Sequence, residues 1–163
     1  MTEHQPESDD LTGALHRSAF LERVEGAIAA AQPTGASFAL CLLDLERFNV
    51  ITDTHGQDAA NTVLKEVASR LRKVFWSDDV IGRVGGDEFA VLLAGADEER
   101  SRRAAGKMRR AISEPMGVGG TTVTLDISLG IALYPAHGAT AEALVRYADQ
   151  DVERVKRERR ASA

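Results

Sequence analysis

The sequence lacks several features that would mark whole classes of protein. It holds one cysteine in 163 residues, Cys41, so no disulfide can form within the chain, and Cys41 is expected to pack as a small hydrophobic residue. No apolar run approaches the roughly 20 residues needed to cross a bilayer. The acidic opening "MTEHQPESDD" also lacks the basic and then apolar segments of a signal peptide. These absences predict a cytoplasmic protein with no membrane segment in this chain.

The sequence also has no excess of basic over acidic residues. The formal net charge of −5 argues against a general nucleic-acid binder, so we expect no nucleic-acid partner. Basic residues concentrate in "ERSRRAAGKMRR", interpreted as a solvated helix face, and near the end in "ERVKRERR". The chain shows neither an internal repeat nor a low-complexity segment. Its length fits one globular domain.

The domain is expected to cover residues 11–163, after a disordered lead or linker at residues 1–10 that is polar and lacks periodicity. Apolar residues at helical spacing predict four helices. They lie in "RSAFLERVEGAIAAAQ", with Ser18 as the N-cap, and in "DAANTVLKEVASRLRKVF", "DEERSRRAAGKMRRAIS" and "TAEALVRYADQDVERVKRERR".

The remaining apolar segments predict strands. "SFALCLLDL" is a short apolar run typical of a strand buried on both faces, and the polar stretch "ERFNVITDTHGQ" after it is expected to be a loop. "DVIGRV" and "EFAVLLAG" form a hairpin joined by Gly85, Gly86 and Asp87. "TVTLDISLGIAL" alternates as a single strand should. The order β-α-β-β-α-β, with one extra helix at each end, predicts an α+β ferredoxin-like fold whose mostly antiparallel sheet is covered by helices.

Three carboxylates are placed together by this topology. Asp44 ends the first core strand, and Asp87 and Glu88 lie at the tip of the hairpin beside it. Converging carboxylates repel one another unless a cation or a proton separates them. Oxygen ligands without histidine or cysteine suit Mg²⁺, which shares its other positions with water and substrate phosphates. The site would then support phosphoryl transfer.

A simpler interpretation makes Asp87 a turn residue and Glu88 an exposed strand end, because Gly-Asp turns are common. Two observations weaken it. Asp44 closes a second apolar strand, and the paired glycines Gly85 and Gly86 leave room for a ligand to approach the backbone.

Several motifs together resemble the GGDEF domain family, the diguanylate cyclases. "RVGGDEFAVLL" is similar to the family signature, and "DDLTGALHR" resembles its opening motif D-x-L-T-G-L-x-N-R. "LDLERFNVITDTHGQDAANTVL", "SLGIA" and "ADQDVERVKRERR" resemble three further family motifs in the same order. The resemblance extends from Asp9 to Arg160 and implies the cyclase and polymerase "palm" fold.

The family condenses two GTP molecules into cyclic di-GMP and pyrophosphate, with two domains facing each other. By this resemblance Asp44, Asp87 and the Leu45 carbonyl would hold Mg²⁺ or Mn²⁺, and Asp87 or Glu88 would help deprotonate the attacking hydroxyl. The remaining nucleotide contacts implied by the resemblance are the backbone of Glu46 to Asn49, which includes Phe48, together with Thr52, Asn61, Gly85, Gly86, Lys156 and Arg160. Lys156 and Arg160 are four residues apart, so one helix face can present both; a solvated basic tail is the alternative.

The departures from the family pattern concern base recognition more than catalysis. Thr52 stands in place of the guanine-contacting Asn, and Asn61 in place of the guanine-contacting Asp. Asn presents both a donor and an acceptor, so one guanine donor would face a donor at a cost of about 1–3 kcal/mol. An adenine edge suits Asn better. Other departures are His16 for Asn, Glu46 for Asp, Asn49 for Lys, Gln57 for His and Ala60 for Gly.

Three hypotheses follow: an active diguanylate cyclase with weakened guanine binding, a catalytically impaired GTP-binding regulatory module, and a cyclase with altered base choice. The family's inhibitory motif R-x-x-D reads "WSDD" here, with Trp76 for Arg and Asp79 retained. Because Trp cannot replace an arginine fork, we expect no feedback binding of cyclic di-GMP through this motif. The expected partners are GTP, a second GGDEF domain in a homodimer, and sensor or phosphodiesterase domains in a longer chain.

Overall fold

The computed structural model describes residues 7–75 and 78–162, which form helices on both faces of a central sheet. The helices are α1 (Arg17–Ala31), α2 (Phe48–His55), α3 (Gln57–Val74), α4 (Glu98–Ser113) and α5 (Ala141–Ser162). The strands are β1 (Leu15–His16), β2 (Phe38–Leu45), β3 (Val80–Gly85), β4 (Glu88–Leu93), β5 (Met116–Val118), β6 (Thr121–Val123) and β7 (Ile127–Tyr134).

The central sheet has five strands in the order β1-β3-β4-β2-β7. Adjacent strands of this sheet are antiparallel, except that β1 and β3 are parallel. Strands β2, β3, β4 and β7, with the helices between them, form the predicted β-α-β-β-α-β core, so the α+β ferredoxin-like prediction is confirmed. Strands β5 and β6 form a separate two-stranded sheet.

Two apolar clusters cover the two faces of the sheet. The first joins β2, β4 and β7 to α3 and α4, and the second joins the opposite face to α1 and α5. Consecutive residues of β2 alternate between the clusters, as expected for a strand buried on both faces. Cys41 lies within β2 with 0% exposure, and burial raises the pKa of its thiol to about 12.

Helix α5 packs directly on the backbone of β7. A Cβ atom added at Gly130 would lie 2.1 Å from the carbonyl oxygen of Ala148 and 2.7 Å from the backbone nitrogen of Val152. No side chain larger than hydrogen fits this gap. Gly130 therefore sets the distance between β7 and the helix that carries Lys156 and Arg160.

The prediction of a polar loop after β2 is wrong, because this segment contains α2. Phe48 packs against the first cluster and Ile51 is buried, so the segment has an apolar side at helical spacing. Polar residues outnumber these two and mask the pattern. Phe48 and Asn49, predicted as loop residues, are the first residues of the helix.

The prediction of one strand through "TVTLDISLGIAL" is right about the buried face and wrong about continuity. The apolar residues at alternate positions all contact the first cluster. The chain nevertheless leaves β6 after Val123 and enters β7 at Ile127. Between them Asp126 bends the chain: its Oδ1 accepts from the backbone of Ile127 at 2.8 Å, and its carbonyl accepts from Glu46 at 2.9 Å.

Two predictions for the first residues also need correction. Helix α1 begins at Arg17, with His16 at the N-cap position and no capping side chain, so Ser18 is not the cap. Residues 7–10, predicted as part of a disordered lead, are bonded to the segment around β1. The backbone nitrogen of Asp9 donates to Ala14 at 2.6 Å, and that of His16 donates to Glu7 at 2.8 Å. Residues 1–6 lie outside the described part.

Among residues 7–75 and 78–162, the structure contains no helix with both the length and the apolar character needed to cross a bilayer.

Candidate functional site

The structure brings the three predicted carboxylates to one end of the sheet. In the register of β2 and β4, Asp44 lies opposite Glu88. Asp87 is in the turn between β3 and β4, and its carbonyl accepts a hydrogen bond from the backbone of Leu45 at 3.1 Å. The convergence predicted from the topology is therefore present.

The carboxylates influence one another's ionisation. Glu88 is half-buried, and its pKa is raised first by burial and then by the negative charges of Asp44, Asp149 and Asp87, while Arg17 opposes the shift. Two acids placed opposite each other on neighbouring strands destabilise a sheet. This arrangement suits a cation or a shared proton rather than a structural role.

Lys156 supplies positive charge to the site. Its Nζ donates to Oδ2 of Asp44, and their side chains are 24% and 20% exposed. The hydrogen bond from Lys156 to Asp44 is the main cause that raises the pKa of this lysine. Lys156 therefore acts as a counter-ion to Asp44.

The hairpin that carries Asp87 is fixed by Arg83. This arginine donates to the carbonyl of Gly86 at 2.9 Å and pairs with Asp9 at 3.2 Å. Burial raises the pKa of Asp9, but hydrogen bonds from Thr12 and Arg83 together lower it below its ordinary value. A Cβ at Gly86 would meet nothing within 4 Å. The turn is thus anchored from one side and open above Gly86.

The segment after Asp44 borders a cavity of about 640 Å³. Glu46 and Arg47 line it together with Arg160 from α5. Arg47 has φ 60°, a left-handed conformation that is uncommon for a residue other than glycine. Oε1 of Glu46 accepts a hydrogen bond from the hydroxyl of Ser128. Phe48 and Asn49, which were predicted to contact the nucleotide, lie in the sequence between residues that line this cavity.

The two predicted base-contacting residues lie on either side of the α2–α3 junction. Thr52 is in α2 and partly buried, and Asn61 is in the first turns of α3. Oδ1 of Asn61 accepts from Nε2 of Gln57 at 2.9 Å. This bond uses one of the two lone pairs of Asn61 Oδ1, so the side chain keeps one acceptor position and its amide hydrogens.

The predicted inhibitory motif is visible only in part, because Trp76 lies outside the described residues. The Asp79 side chain is 1% exposed and pairs with Arg100 at 2.8 Å. It also accepts from the backbone nitrogen of Ala94 at 3.0 Å. Asp79 thus links β3 to the segment that leads into α4, while the absence of product feedback stays a prediction.

The donor atoms fit a hard divalent cation. Among residues 7–75 and 78–162, no group of three or more His, Cys, Asp or Glu side chains is arranged to hold a metal. Asp44, Asp87 and the Leu45 carbonyl instead offer few ligands, all oxygen. Mg²⁺ is commonly bound in this way, through one or two carboxylates with substrate phosphates completing the set.

Sequence reasoning missed residues that the fold brings to the site. Arg159 donates to the carbonyl of Ile127 at 2.7 Å and pairs with Asp126 at 3.1 Å, which fastens α5 to the start of β7. Its position three residues after Lys156, on the same helix, is a signal that could have identified it. Asp149 lies in the motif "ADQDVERVKRERR", but its approach to Glu88 follows from tertiary packing, which the motif does not show.

Comparisons with known proteins agree with this geometry. The family model "Diguanylate cyclase, GGDEF domain" matches residues 7–162. Diguanylate cyclase TpbB from Pseudomonas aeruginosa is 37% identical over 164 residues, covering 98% of this chain and 37% of TpbB. The solved GGDEF domain of TpbB superposes with a TM-score of 0.89 at 35% identity, covering 93% of this chain and 89% of that one.

A further relative from the same organism is named bifunctional diguanylate cyclase/cyclic di-GMP phosphodiesterase MucR. It is 35% identical over 141 residues, which cover 86% of this chain and 21% of MucR. The chain thus spans well under half of the curated relatives it matches.

Proposed function

Because this chain belongs to the GGDEF domain family, we propose that it is a diguanylate cyclase that condenses two GTP molecules into cyclic di-GMP and pyrophosphate. The observation that carries the proposal is the register that sets Asp44 opposite Glu88 and beside the Asp87 turn. The ammonium group of Lys156 places a positive charge beside Asp44.

Each residue has a distinct proposed role. Asp44, Asp87 and the Leu45 carbonyl would hold Mg²⁺ or Mn²⁺, which when bound neutralises the charge that develops on the phosphate oxygens. Asp87 or Glu88 accepts the proton of the attacking 3′-hydroxyl. The raised pKa of Glu88 makes it a better proton acceptor than an ordinary glutamate.

The reaction needs two domains. The 3′-oxygen of one GTP forms a bond to the α-phosphorus of the other, the bond to the β-phosphate oxygen breaks, and pyrophosphate leaves. A second, identical step closes the ring. We therefore propose a homodimer, transient or stable, in the cytoplasm, and a longer protein in which sensor or phosphodiesterase domains accompany this one.

One contact favours a second candidate, a cyclase with altered base choice. Gln57 uses one of the two lone pairs of Asn61 Oδ1, so Asn61 keeps one acceptor position beside its amide donor. The N1–H and N2–H₂ donors of guanine lie side by side, whereas adenine places its N6 donor beside its N1 acceptor, so an amide that offers one donor and one acceptor fits adenine better.

The test is incubation of concentrated or artificially dimerised protein with GTP, ATP or both, in the presence of Mg²⁺ or Mn²⁺, followed by identification of the products. Cyclic di-GMP from GTP alone is the expected result. A mixed dinucleotide would support the second candidate. Tight GTP binding without turnover would instead indicate a regulatory module.

The control for the metal site is a pair of charge-matched variants. Asp87→Asn should abolish product formation, whereas Asp58→Asn, at an exposed position in the first turn of α3, should leave it unchanged. Full activity in Asp87→Asn would refute the role assigned to Asp87.

A further inference from the structure

Arg17 lies between two cavities that border the hairpin of β3 and β4. The larger cavity, of about 740 Å³, is lined by Arg17 together with Gly85 and Gly86 of the hairpin. The smaller cavity, of about 270 Å³, is lined by Arg17 together with Glu88. Arg17 therefore borders both the glycine turn and the half-buried carboxylate that follows it.

Strand pairing explains the position of Arg17. The preceding residue, His16, ends β1 and lies opposite Arg83 in the parallel register of β1 and β3. Helix α1 begins at the next residue, beside the strand that leads into the hairpin. The central sheet thus fixes where the Arg17 backbone lies relative to the hairpin.

Two other cations near the hairpin are already engaged. Lys156 donates to the carboxylate of Asp44. Arg83 donates to the carbonyl of Gly86 at 2.9 Å and pairs with Asp9 at 3.2 Å. Neither side chain can turn to an incoming anion without giving up these partners.

Arg17 differs from these two cations. Its side chain is exposed, and it is neither hydrogen-bonded nor ion-paired to any residue in the described ranges, 7–75 and 78–162. Its charge acts on Glu88 through space, where it opposes the effect of burial and of the neighbouring acids on the pKa of that residue. The Arg17 guanidinium is therefore available to a ligand at the hairpin.

The proposed reaction brings an anion to this point. The attacking 3′-hydroxyl must lie within hydrogen-bond reach of Asp87 or Glu88, and the α-phosphorus that it attacks lies about 3 Å beyond it. That phosphorus belongs to the nucleotide held by the second copy of this chain. Its phosphate oxygens approach a group of carboxylates, which repel them. The space above Gly86 is open, because a Cβ there would meet nothing within 4 Å.

We propose that Arg17 is a catalytic residue that contacts the α-phosphate of the nucleotide held by the second copy, while its own copy supplies the attacking hydroxyl. In this step the 3′-oxygen gives its proton to Asp87 or Glu88 and bonds to the α-phosphorus. Pyrophosphate leaves with the electron pair of the broken bond. The inference rests on the proposed function for the reaction, but not for the contact between one copy and the nucleotide of the other.

The chemistry of the guanidinium suits this role. Its planar fork can donate two charge-assisted hydrogen bonds to phosphate oxygens. The contact offsets the repulsion by the carboxylates and stabilises the charge that develops on the phosphate in the transition state. Each copy then completes the site that acts on the nucleotide of the other.

The first test compares turnover with nucleotide binding in Arg17→Gln. We expect kcat to fall about tenfold or more, the loss of one charge-assisted contact. The Kd for 3′-deoxy-GTP, measured at protein concentrations too low for association, should change less than about twofold. Arg17→Lys should have an intermediate kcat, because lysine keeps the charge without the fork. Weaker nucleotide binding with unaltered kcat would place Arg17 on the nucleotide of its own copy and overturn the proposal.

The matched control is Arg23→Gln, which removes the same charge from an exposed residue of α1 that lines neither cavity. Its kcat should stay within about twofold of the unchanged protein, because an exposed distant charge is screened by salt. Equal losses of kcat in the two variants would indicate a diffuse field and overturn the proposal.

A pH series separates this role from a simple effect on Glu88. Burial and neighbouring acids raise the pKa of Glu88, and Arg17 opposes the rise. If this were the whole effect of Arg17, the Arg17→Gln variant would be slow at low pH and would regain the full rate at higher pH. We expect the loss of kcat to persist at every pH. Full recovery at high pH would contradict the contact with the phosphate.

Self-association distinguishes the failure of this inference from that of the proposed function. 3′-Deoxy-GTP lacks the attacking hydroxyl, so sedimentation in its presence measures association without turnover. Arg17→Gln should weaken this association about fivefold or more relative to Arg23→Gln. Protein that forms no cyclic dinucleotide yet associates in this Arg17-dependent way would refute the cyclase and support the inference. Protein that forms cyclic di-GMP with unaltered kcat in Arg17→Gln would do the reverse.

Discussion

The contact between β7 and α5 gives a prediction whose size follows from the structure. In Gly130→Ala the new Cβ would lie 2.1 Å from the carbonyl oxygen of Ala148, and real Cβ atoms essentially never approach another atom closer than 3.0 Å. The obstacle is helix backbone, which cannot rotate away as a side chain can. Helix α5 must therefore retreat by about 1 Å, and overpacking that shifts the backbone costs typically 1–3 kcal/mol or more.

We expect Gly130→Ala to lose about 3 kcal/mol of unfolding free energy. For a domain of this size that lowers Tm by roughly 6–12 °C. The same displacement moves Lys156 away from Asp44, so GTP binding should weaken together with stability. Urea unfolding, thermal melts and GTP titration of one sample measure the three effects.

Gly26→Ala is the matched control, because it is the same substitution in the middle of α1. A Cβ at Gly26 would meet nothing within 4 Å, and alanine favours a helix over glycine by roughly 0.5–1 kcal/mol. This variant should therefore melt slightly above the unchanged protein. If Gly130→Ala also melted at or above the unchanged protein, the direct packing of α5 on β7 would be refuted.

Three further predictions concern charged groups. Lys156→Met removes the counter-ion of Asp44, so the affinity for Mn²⁺, measured without nucleotide, should rise. The affinity for GTP should fall at least about tenfold, because a positive charge near the phosphates is lost. Unchanged affinities would contradict the pairing of Lys156 with Asp44. Glu88→Gln should be more stable than the unchanged protein at pH 7, by up to about 1 kcal/mol. The pKa of Glu88 is higher in the folded protein than in the unfolded chain, so an ionised Glu88 destabilises the fold at pH 7. Below about pH 4.5 Glu88 is protonated in both states, and the stability gained by Glu88→Gln should disappear. Thermal melts of the two proteins should then coincide. Asp79→Ala removes a buried carboxylate that pairs with Arg100 and accepts from the backbone of Ala94, so it should cost about 3 kcal/mol in urea unfolding. Titration of cyclic di-GMP should show no inhibition in either protein.

The core of the fold could be predicted because its signals are local. Apolar runs and helical spacing identified β2, α3, α4 and α5, and the Gly-rich join identified the hairpin of β3 and β4. Helix α2 was missed because polar residues outnumber Phe48 and Ile51 in it. The break between β6 and β7 was missed because alternation continues through it, and the bend depends on hydrogen bonds of Asp126 to residues that include Glu46, remote in the sequence.

The residues of the candidate site also fall into those that the sequence could predict and those that require the structure. Asp44, Asp87 and Glu88 were predictable, because strand order alone places the ends of β2 and the hairpin together. The pairing of Lys156 with Asp44 and the approach of Asp149 to Glu88 depend on how α5 lies across the sheet. That position is set by Gly130 and Arg159, whose effect is visible only in three dimensions.

The buried thiol of Cys41 in β2 can serve as a probe of how often the central sheet opens. Cys41 is the one cysteine of the sequence, and its depth in β2 and raised pKa keep it protonated and inert in the native state. A thiol reagent can label it only when the sheet opens, so the labelling rate reports the free energy of opening. A nucleotide that binds only the folded domain should slow labelling about 100-fold at a concentration 100 times its Kd, which measures binding in protein with no detectable turnover.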